Sequence, residues 1–431
     1  MNLDFSKPFL VVGLGVSGRS AVACLLHFGA TVTAVDRNRS TLESQEVLAL
    51  REKGVQLYHE DEITSLDPFG ALVVSPGIPQ THVLYAKARA EGKIILGEIE
   101  LACQLLEGTF LGITGTNGKT TVTLLVTHVL RHCGFNAIAL GNVGTPLTQQ
   151  CMQPQNRDSI YVVELSSYQL ETMHTPIISA GVILNVTPDH LDRYNSLEEY
   201  AEAKFQLLNC LTPNGVCYIE ENCLREFGHL LKGREAQRYG YSADCEINID
   251  IMPAHIQRKK SHDAENIMAA YALCAYVGVT NEQFFDALSS FKKPAHRIEF
   301  VREFKGITFY DDSKGTNLDA VVRAVESISG PIVLIAGGVD KGAPYTPWIE
   351  AFGGKVRAIF AIGQAAPKIQ KDLAGAILVT LCVSLEEAVL KATNFAAAGE
   401  TVLLSPGCSS FDMFKDYAHR GEVFQGIVKS M

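Results

Sequence analysis

The chain has 431 residues, of which 47% are hydrophobic and 19% are charged, and its formal net charge is −10. At roughly 150 residues per domain, this length predicts about three domains, and the hydrophobic fraction is ample for several cores, so disorder is not the expectation. A negative chain without a Lys/Arg-rich tract is a poor nucleic-acid binder, because phosphate backbones are bound through clustered cations. We therefore expect a globular protein without a nucleic-acid partner.

The sequence also indicates where the protein works. No apolar run approaches the roughly eighteen residues that span a bilayer, and the opening stretch lacks the pattern of a signal peptide. Eleven cysteines are scattered singly between Cys24 and Cys408, without a CxxC pair or a cluster at zinc spacing. We expect a cytoplasmic protein without membrane insertion, whose thiols are reduced and mostly buried.

Short apolar runs rich in β-branched residues alternate with helix-like segments along the whole chain. The predicted strands are Phe9 to Val12, Thr31 to Val35, Ala71 to Val74, Tyr161 to Val163, Gly181 to Leu184, Ile332 to Ala336, Ala358 to Ile362 and Thr401 to Leu404. This alternation predicts βαβ units around mainly parallel sheets, hence an α/β fold. Breaks near Gly97 and Pro294 divide the chain into three domains, over residues 1–97, 98–294 and 295–431.

The first glycine-rich loop has the pattern GxGxxG, from Gly13 through Gly15 to Gly18, between a strand and an apolar helix. Asp36 ends the next strand. Glycines permit a tight turn, the helix N-terminus attracts a phosphate, and an acid at this position can bond a sugar or base. The pattern predicts a Rossmann-like first domain that binds a phosphate-containing ligand. A turn that only packs the helix on the strand is the alternative.

The second glycine-rich loop reads TGTNGKTT and precedes an apolar helix from Val122 to Leu130. Backbone amides of such a loop surround phosphate oxygens, while the lysine neutralises the β- and γ-phosphates and a hydroxyl can bind Mg²⁺. The spacing is a variant of the usual phosphate loop, because Ile113 stands where glycine is expected. It predicts a central P-loop-type ATPase domain. The residues assigned to ATP here are Gly115, Thr116, Asn117, Gly118, Lys119, Thr120 and Thr121.

Three later residues of the chain are candidates for metal binding or catalysis. Glu164 ends a predicted strand, where a carboxylate can hold Mg²⁺ beside the nucleotide or merely cap the next turn. His190 follows another strand end, although a lone histidine is more often structural than a ligand. Lys204 lies about two turns into a helix that begins with the capping box Ser196-Leu197-Glu198-Glu199. By spacing alone Lys204 is a surface charge.

Several motifs together resemble the Mur ligase family over nearly the whole chain. They are TGTNGKTT, ELSSYQLE, NVTPDHLDRY with the following AEAK, AHR, DDSKGTN and GGVDKG. The segments SPGIP, ELSSYQLE and SPGCSSFDMFKDYAHRG most resemble those members that add D-glutamate to UDP-N-acetylmuramoyl-L-alanine. The resemblance implies an ATP-dependent ligase of peptidoglycan precursor synthesis with two Mg²⁺ sites and a Rossmann-like C-terminal domain. We expect it to act as a monomer on these small-molecule substrates.

The resemblance also assigns roles to individual residues. The UDP-linked substrate would contact Gly15, Val16, Ser17, Gly18, Asp36, Arg37, Ser75, Pro76, Gly77, Asn142, Ser167 and Gln169. ATP would also contact Asn266, Arg297, Asp312 and Lys314, and the amino acid would contact Thr316, Lys341, Ser410 and Tyr417. Thr120, Glu164, His190 and a carbamylated Lys204 would hold the metal. The catalytic set implied is Lys119, Glu164, His190 and Lys204.

Other functions remain open at this point. A related ligase could add another amino acid, but no DNPR-like motif of the kind expected for diaminopimelate is present. A folate polyglutamate ligase is disfavoured by the first domain. A nicotinamide-dependent dehydrogenase could use the first loop but would not need Lys119 and Thr120. A non-catalytic ATP-binding protein is the last alternative.

Overall fold

The computed structural model describes residues 3–191, 193–253 and 262–431. Asp192 of the NVTPDHLDRY segment lies outside the described residues, and so does the side chain of His262. The chain forms two compact units: one comprises the chain up to Asn185 together with Tyr200–Phe291, and the other comprises Val186–Glu199 and Lys292–Met431. The first unit holds two β-sheets and the second unit holds one.

The first sheet is entirely parallel, with strand order β3-β2-β1-β4-β5. Its strands are β1 (Phe9–Val12), β2 (Val32–Asp36), β3 (Gln56–His59), β4 (Ala71–Val74) and β5 (Ile94–Gly97). The helices of this segment are Val16–His27, Arg39–Leu42, Gln45–Glu52, Val83–Ala90 and Glu98–Cys103. β1 and β4 are apolar and fully buried, as strands covered on both faces are. Because β2, β1 and β4 are neighbours, the loops that follow them meet at one edge of the sheet.

The second sheet is also parallel, with strand order β12-β11-β10-β9-β6-β8-β7. Its strands are β6 (Thr109–Thr114), β7 (Ala137–Gly141), β8 (Ile160–Glu164), β9 (Ile178–Ile183), β10 (Leu211–Glu220), β11 (Gln237–Gly240) and β12 (Ile247–Asn248). The helices are Lys119–His132, Leu147–Gln150, Ser167–Leu170, Leu197–Phe205, Glu221–Phe227, His262–Tyr276 and Asn281–Ser289. The carboxyl ends of β9, β6, β8 and β7 are adjacent, which brings four loops together.

Two buried carboxylates join the first sheet to the second within the first unit. Glu98 accepts hydrogen bonds from the backbone N–H and the hydroxyl of Thr148 at 2.7 and 2.6 Å. Glu100 accepts from the backbone N–H groups of His174 and Thr175 at 2.9 and 3.1 Å. Burial raises the pKa of Glu98, although the bonds from Thr148 oppose this shift. These bonds fix the short helix Glu98–Cys103 between the two sheets.

The third sheet is mixed, with strand order β13-β14-β18-β15-β16-β17. Its strands are β13 (Glu299–Phe304), β14 (Ile307–Asp311), β15 (Ile332–Gly337), β16 (Val356–Ile362), β17 (Leu378–Leu381) and β18 (Thr401–Leu404). The helices are Leu318–Ser327, Pro347–Ala351, Ala366–Asp372, Leu385–Phe395 and Tyr417–Ser430. Only β13 and β14 pair antiparallel among the described strands, so this part opens on a hairpin.

Two cores cover the two faces of the third sheet. Successive residues of a strand point to opposite faces, and Leu334 and Ile335 accordingly belong to different cores. Trp348 lies in the first core and Phe424 in the second.

The structure bears out the α/β prediction, and the predicted thiols are mostly buried, with Cys133 intermediate. In the ranges that the structure describes, no helix is both long enough and apolar enough to cross a membrane.

Candidate functional site

The phosphate loop leaves β6 at Thr114 and enters the helix Lys119–His132, which begins earlier than predicted. Gly115 and Gly118 have φ values of 151° and 88°, which residues with a side chain rarely adopt. A Cβ on Gly118 would also overlap the side chain of Asn266. The two glycines therefore shape the loop, and Asn266 lies against it; its contact with ATP stays a prediction.

Asn185 braces this loop, although the sequence interpretation gave it no role. Its backbone carbonyl accepts from Thr116 N–H at 2.8 Å, and its side-chain oxygen accepts from Asn117 N–H at 2.8 Å. Its side-chain amide donates to the Asn117 carbonyl at 3.1 Å. Asn185 follows β9, the neighbour of β6, and only this strand order explains its position.

Two lysine side chains meet at one carbonyl of the phosphate loop. Lys119 donates to the carbonyls of Gly115 and Thr116 at 2.8 and 2.9 Å. Lys204 donates to the same Gly115 carbonyl at 2.8 Å, and its Nζ lies 4.2 Å from the centre of the Tyr200 ring. Lys204 is only 1% exposed, so the spacing-based expectation of a surface charge is wrong. Two ammonium groups this close repel each other, which favours an anion beside them.

Glu164 ends β8 as predicted and is 2% exposed. Its Oε1 accepts from the side-chain amide of Asn142 at 2.9 Å, whereas its Oε2 has no hydrogen-bond partner among the residues that the structure describes. A buried carboxylate oxygen without a partner is costly unless something else binds it. Carboxylate oxygen is a preferred ligand of Mg²⁺, so Glu164 fits a metal site. A Cβ on Gly141 would overlap the Glu164 carbonyl, which explains the glycine before Asn142.

Ser167 and Gln169, predicted to contact substrate, are both buried at the start of a short helix. Gln169 accepts from Ser166 N–H at 2.9 Å while Ser166 Oγ accepts from Gln169 N–H at 3.3 Å, which is a capping box. The Gln169 side chain therefore supports the turn after Glu164, and its contact with substrate stays a prediction.

The first glycine-rich loop is closed by side chains from the two neighbouring strands. Ser75 Oγ donates to the Gly13 carbonyl at 2.8 Å, and a Cβ on Gly18 would overlap that carbonyl. Asp36 accepts from the backbone N–H groups of Leu14 and Asn38, each at 2.8 Å. Asp36 thus holds the loop itself, in addition to any contact with a uracil or ribose. Val16 is 66% exposed at the open side of the loop.

In the second unit, three sequence motifs meet at the carboxyl ends of β14, β18 and β15. The backbone N–H of Gly407 donates to the Gly315 carbonyl at 2.8 Å, and that of Val339 donates to the Ser409 carbonyl at 2.9 Å. These bonds join the DDSKGTN, SPGCSS and GGVDKG loops. The predicted residues on these loops are Asp312, Lys314, Thr316, Lys341 and Ser410. Lys314 Nζ lies 3.8 Å from the ring centre of Tyr417, another predicted ligand-binding residue.

Asp312 is buried and accepts from Ser405 Oγ at 2.6 Å. Burial raises its pKa to about 7, although the bond from Ser405 and the nearby charge of Arg297 oppose the shift.

Arg420 was missed by the sequence interpretation, although it lies within a quoted motif. It is fully buried and donates to Ser313 Oγ, the Ser313 carbonyl and the Cys408 carbonyl at 3.0, 2.8 and 3.2 Å. Burial lowers the pKa of Arg420 to about 10. This guanidinium therefore ties the DDSKGTN and SPGCSS loops together.

Asp189 and Lys341 form an ion pair in the second unit. Asp189 Oδ1 accepts from Lys341 Nζ at 2.8 Å and from the His190 N–H at 2.9 Å, and Oδ2 accepts from Asn317 Nδ2 at 3.2 Å. Burial alone would raise the pKa of Asp189, but the charges of Lys341 and His190 hold it below its ordinary value. His190 itself has a left-handed backbone, with φ of 56°.

His296, Glu299 and Asp311 offer ligand atoms close enough together for a cation. However, Asp311 Oδ2 already accepts from Gln425 at 2.9 Å and bonds His296 Nδ1 at 2.6 Å, while Glu299 accepts from His296 N–H at 2.8 Å. We interpret these bonds as support for the AHR turn, where His296 has φ of 60°.

The parallel sheets, the phosphate loop and the buried strand-end carboxylate define an ATP-using α/β enzyme of the phosphate-loop class. The chain matches the family descriptions "Mur ligase MurD-like, N-terminal domain" over residues 7–97, "Mur ligase middle domain" over 113–270 and "Mur ligase, glutamate ligase domain" over 296–408. It belongs to the Mur ligase family and is an ATP-dependent, amide-bond-forming enzyme.

Individual relatives cover the whole chain. A UDP-N-acetylmuramoylalanine--D-glutamate ligase of Protochlamydia amoebophila is 49% identical over 99% of this chain and 98% of that protein. A ligase of the same name from Koribacter versatilis is 37% identical over 99% and 98%. The crystal structure of the MurF ligase of Thermotoga maritima in complex with ADP covers 93% of this chain and 95% of its own, with 15% identity and a TM-score of 0.58. At 15% identity, the similarity to this structure shows the fold alone.

Proposed function

We propose that the protein joins D-glutamate to UDP-N-acetylmuramoyl-L-alanine, with hydrolysis of ATP to ADP and phosphate, in the synthesis of peptidoglycan precursors. The observation that carries this proposal is the phosphate loop, where Lys119 and Lys204 donate to one carbonyl and the buried Glu164 ends the neighbouring strand. The acceptor amino acid follows from the relatives, which carry the name of a D-glutamate ligase over the full length of the chain.

The chemistry proceeds through an acyl phosphate. A carboxylate oxygen of the UDP-linked substrate attacks the γ-phosphorus of ATP, and ADP leaves. The amine of D-glutamate then attacks the acyl carbon, and phosphate leaves as the amide forms. Phosphoryl transfer requires positioning and neutralisation of charge rather than a protein nucleophile, so Lys119 supplies positive charge at the phosphates.

Glu164 would hold Mg²⁺, together with the Thr120 hydroxyl, and Asn142 keeps the carboxylate in place. Bound Mg²⁺ would neutralise phosphate charge. Glu164, His190 and a carbamylated Lys204 would hold a second Mg²⁺. Carbamylation of Lys204 would replace a cation next to Lys119 with an anion, which removes the repulsion between the two ammonium groups.

The remaining contacts follow the motif positions. The first loop and Ser75, Pro76 and Gly77 would bind the UDP part, with Asp36 and Arg37 at the uracil. Asn266, Arg297, Asp312 and Lys314 would bind ATP, and Thr316, Lys341, Ser410 and Tyr417 would bind D-glutamate. We propose domains over residues 1–97, 98–294 and 295–431 in a monomeric, cytoplasmic enzyme.

The test is phosphate release from ATP in the presence of UDP-N-acetylmuramoyl-L-alanine, with D-glutamate, L-glutamate, L-alanine, glycine and diaminopimelate supplied in turn. Release only with D-glutamate supports the proposal. Release with a different amino acid would keep the mechanism and refute the acceptor. Absence of release with all five, in protein that binds ATP, would leave a nucleotide-binding protein without this catalytic activity.

A further inference from the structure

The ion pair between Asp189 and Lys341 lies where three segments of the second unit meet. Asp189 is 8% exposed, and its carboxylate is held by groups from three separate parts of the second unit: Lys341, Asn317 and its neighbour His190. A buried ion pair is a weak source of stability, because removing both charges from water costs about as much as their attraction returns. The pair also lines a small cleft with Tyr345 and Gly407 that has room for about one water molecule, so a larger ligand requires the pair to open.

An α-amino acid is the charge complement of this pair. It carries a carboxylate and an ammonium group on the same carbon atom, while Lys341 presents an ammonium and Asp189 a carboxylate 2.8 Å apart. An amino acid that enters between the two exchanges one ion pair for two. Neither protein charge is then left buried without a partner, which is the costly alternative.

We propose that Asp189 binds the ammonium group of the acceptor amino acid, and that its ion pair with Lys341 opens to admit that amino acid. Lys341 then binds a carboxylate of the acceptor, while Asn317 continues to hold Asp189. This inference rests on the proposed function for the role of Lys341 and adds Asp189 as a residue that distinguishes amino acids from simple dicarboxylates.

Glutarate separates this role from a structural one, because it has both carboxylates of glutamate and lacks the amine. In the wild-type enzyme, glutarate takes Lys341 and brings no ammonium group in its place, so Asp189 keeps the His190 ring, 3.7 Å away, but loses its bond to an ammonium. We therefore expect its inhibition constant, measured in competition with D-glutamate, to exceed the KM for D-glutamate by about tenfold or more. Comparable values for the two ligands would overturn the proposal without any variant.

The substitution Asp189→Asn gives opposite predictions for the two ligands. The KM for D-glutamate should rise about tenfold or more, because the ammonium group loses its partner. The inhibition constant of glutarate should stay constant or fall, because Lys341 no longer has an internal competitor. Equal weakening of both ligands would indicate a structural role, and an unchanged KM for D-glutamate would remove Asp189 from the binding site.

Two further variants serve as references. Asp340 lines the same cleft, and its carboxylate bonds Lys368 at 2.8 Å. Asp340→Asn should therefore leave the ratio of the glutarate inhibition constant to the KM for D-glutamate unchanged. Lys341→Gln should weaken D-glutamate and glutarate together, and it keeps the test decisive if Asp189→Asn does not fold. Selective loss of D-glutamate binding in Lys341→Gln would contradict the assignment. If the acceptor assay identifies another amino acid, the proposal of D-glutamate as the acceptor fails. The test of Asp189 then uses that amino acid and its analogue without the amine, in place of D-glutamate and glutarate.

Discussion

Lys119 and Lys204 donate to the same backbone carbonyl, that of Gly115, each at 2.8 Å. One lysine begins the helix of the phosphate loop and the other lies 85 positions later in a different helix, so only the fold brings their charges together. Both belong to the first unit, and Lys204 is buried. This concentration of charge predicts where the phosphates bind and why Lys204 is a candidate for modification.

Replacement of Lys204 tests that modification. We expect Lys204→Ala to lower the rate of phosphate release about a hundredfold or more, because the site loses a metal ligand or its support. Short carboxylates such as formate or acetate should restore part of the activity, since they can occupy the space of a carbamate. Lys232→Ala is the control, because Lys232 is an exposed lysine whose ion pair with Glu202 spans 3.8 Å. Full activity in Lys204→Ala would refute the assignment.

Loss of the Asn142 side chain should weaken Mg²⁺ binding. Asn142 fixes one oxygen of Glu164 at 2.9 Å, and groups that orient metal ligands typically contribute roughly 10- to 100-fold in affinity. Asn142→Ala should therefore raise the Mg²⁺ concentration for half-maximal activity by about tenfold. Asn136→Ala removes a comparable amide bond to Ser159, at 2.9 Å, and should leave the Mg²⁺ dependence unaltered. An unchanged Mg²⁺ requirement in Asn142→Ala would remove Glu164 from the metal site.

We expect Asn185 to affect the KM for ATP more than the KM for the UDP-linked substrate. Asn185→Ala removes two side-chain bonds to the phosphate loop, each worth about 1 kcal/mol. We expect the KM for ATP to rise about tenfold, with a smaller change for the other substrates. The exposed Asn209 supplies the control Asn209→Ala. A uniform rise in all KM values would indicate general destabilisation instead.

Arg420 should be replaceable by lysine only at a cost in stability. Arg420→Lys cannot reproduce three bonds in different directions, so we expect the free energy of unfolding to fall by roughly 2–4 kcal/mol. Thermal unfolding with and without D-glutamate is the measurement, because the arginine ties Ser313 to Cys408 on the loops that we propose to bind the acceptor. The exposed Lys429 of the same helix provides the control Lys429→Arg. Wild-type stability in Arg420→Lys would contradict this role.

The raised pKa of Asp312 predicts a pH dependence of stability. The folded protein holds this proton up to pH about 7, whereas the unfolded chain releases it near 3.8. The contribution to stability is therefore fully present below the lower value and is lost as the pH rises through about 7. Asp312→Asn mimics the protonated form and should raise the unfolding temperature of the ligand-free protein at pH 8 but not at pH 4.

The size of that gain is at most about 4 kcal/mol in the free energy of unfolding. Asp340→Asn, which breaks the ion pair with Lys368, is the matched control and should not gain stability at pH 8. A parallel pH profile for Asp312→Asn and the wild type would show that Asp312 does not titrate in this range.

Sequence patterns were sufficient to predict the α/β class, both glycine-rich loops, the strand-end position of Glu164 and the motifs that identify the family. These are local features: a strand, a turn with glycines and a helix follow one another within a few residues, so spacing suffices. The sequence also located eight of the eighteen described strands. Of these, β2 is shifted by one residue, β8, β15 and β16 are longer than predicted, and β9 begins three residues earlier and ends one residue earlier.

The set of side chains that lie together depends on the tertiary fold. Asn185 reaches the phosphate loop because β9 lies beside β6, and Asn142 reaches Glu164 because β7 lies beside β8. Lys204 is buried, Arg420 joins two loops, and Asp189 pairs with Lys341 across 152 positions of the chain. Strand order and burial depend on contacts between distant segments, and no local pattern of residues encodes those contacts.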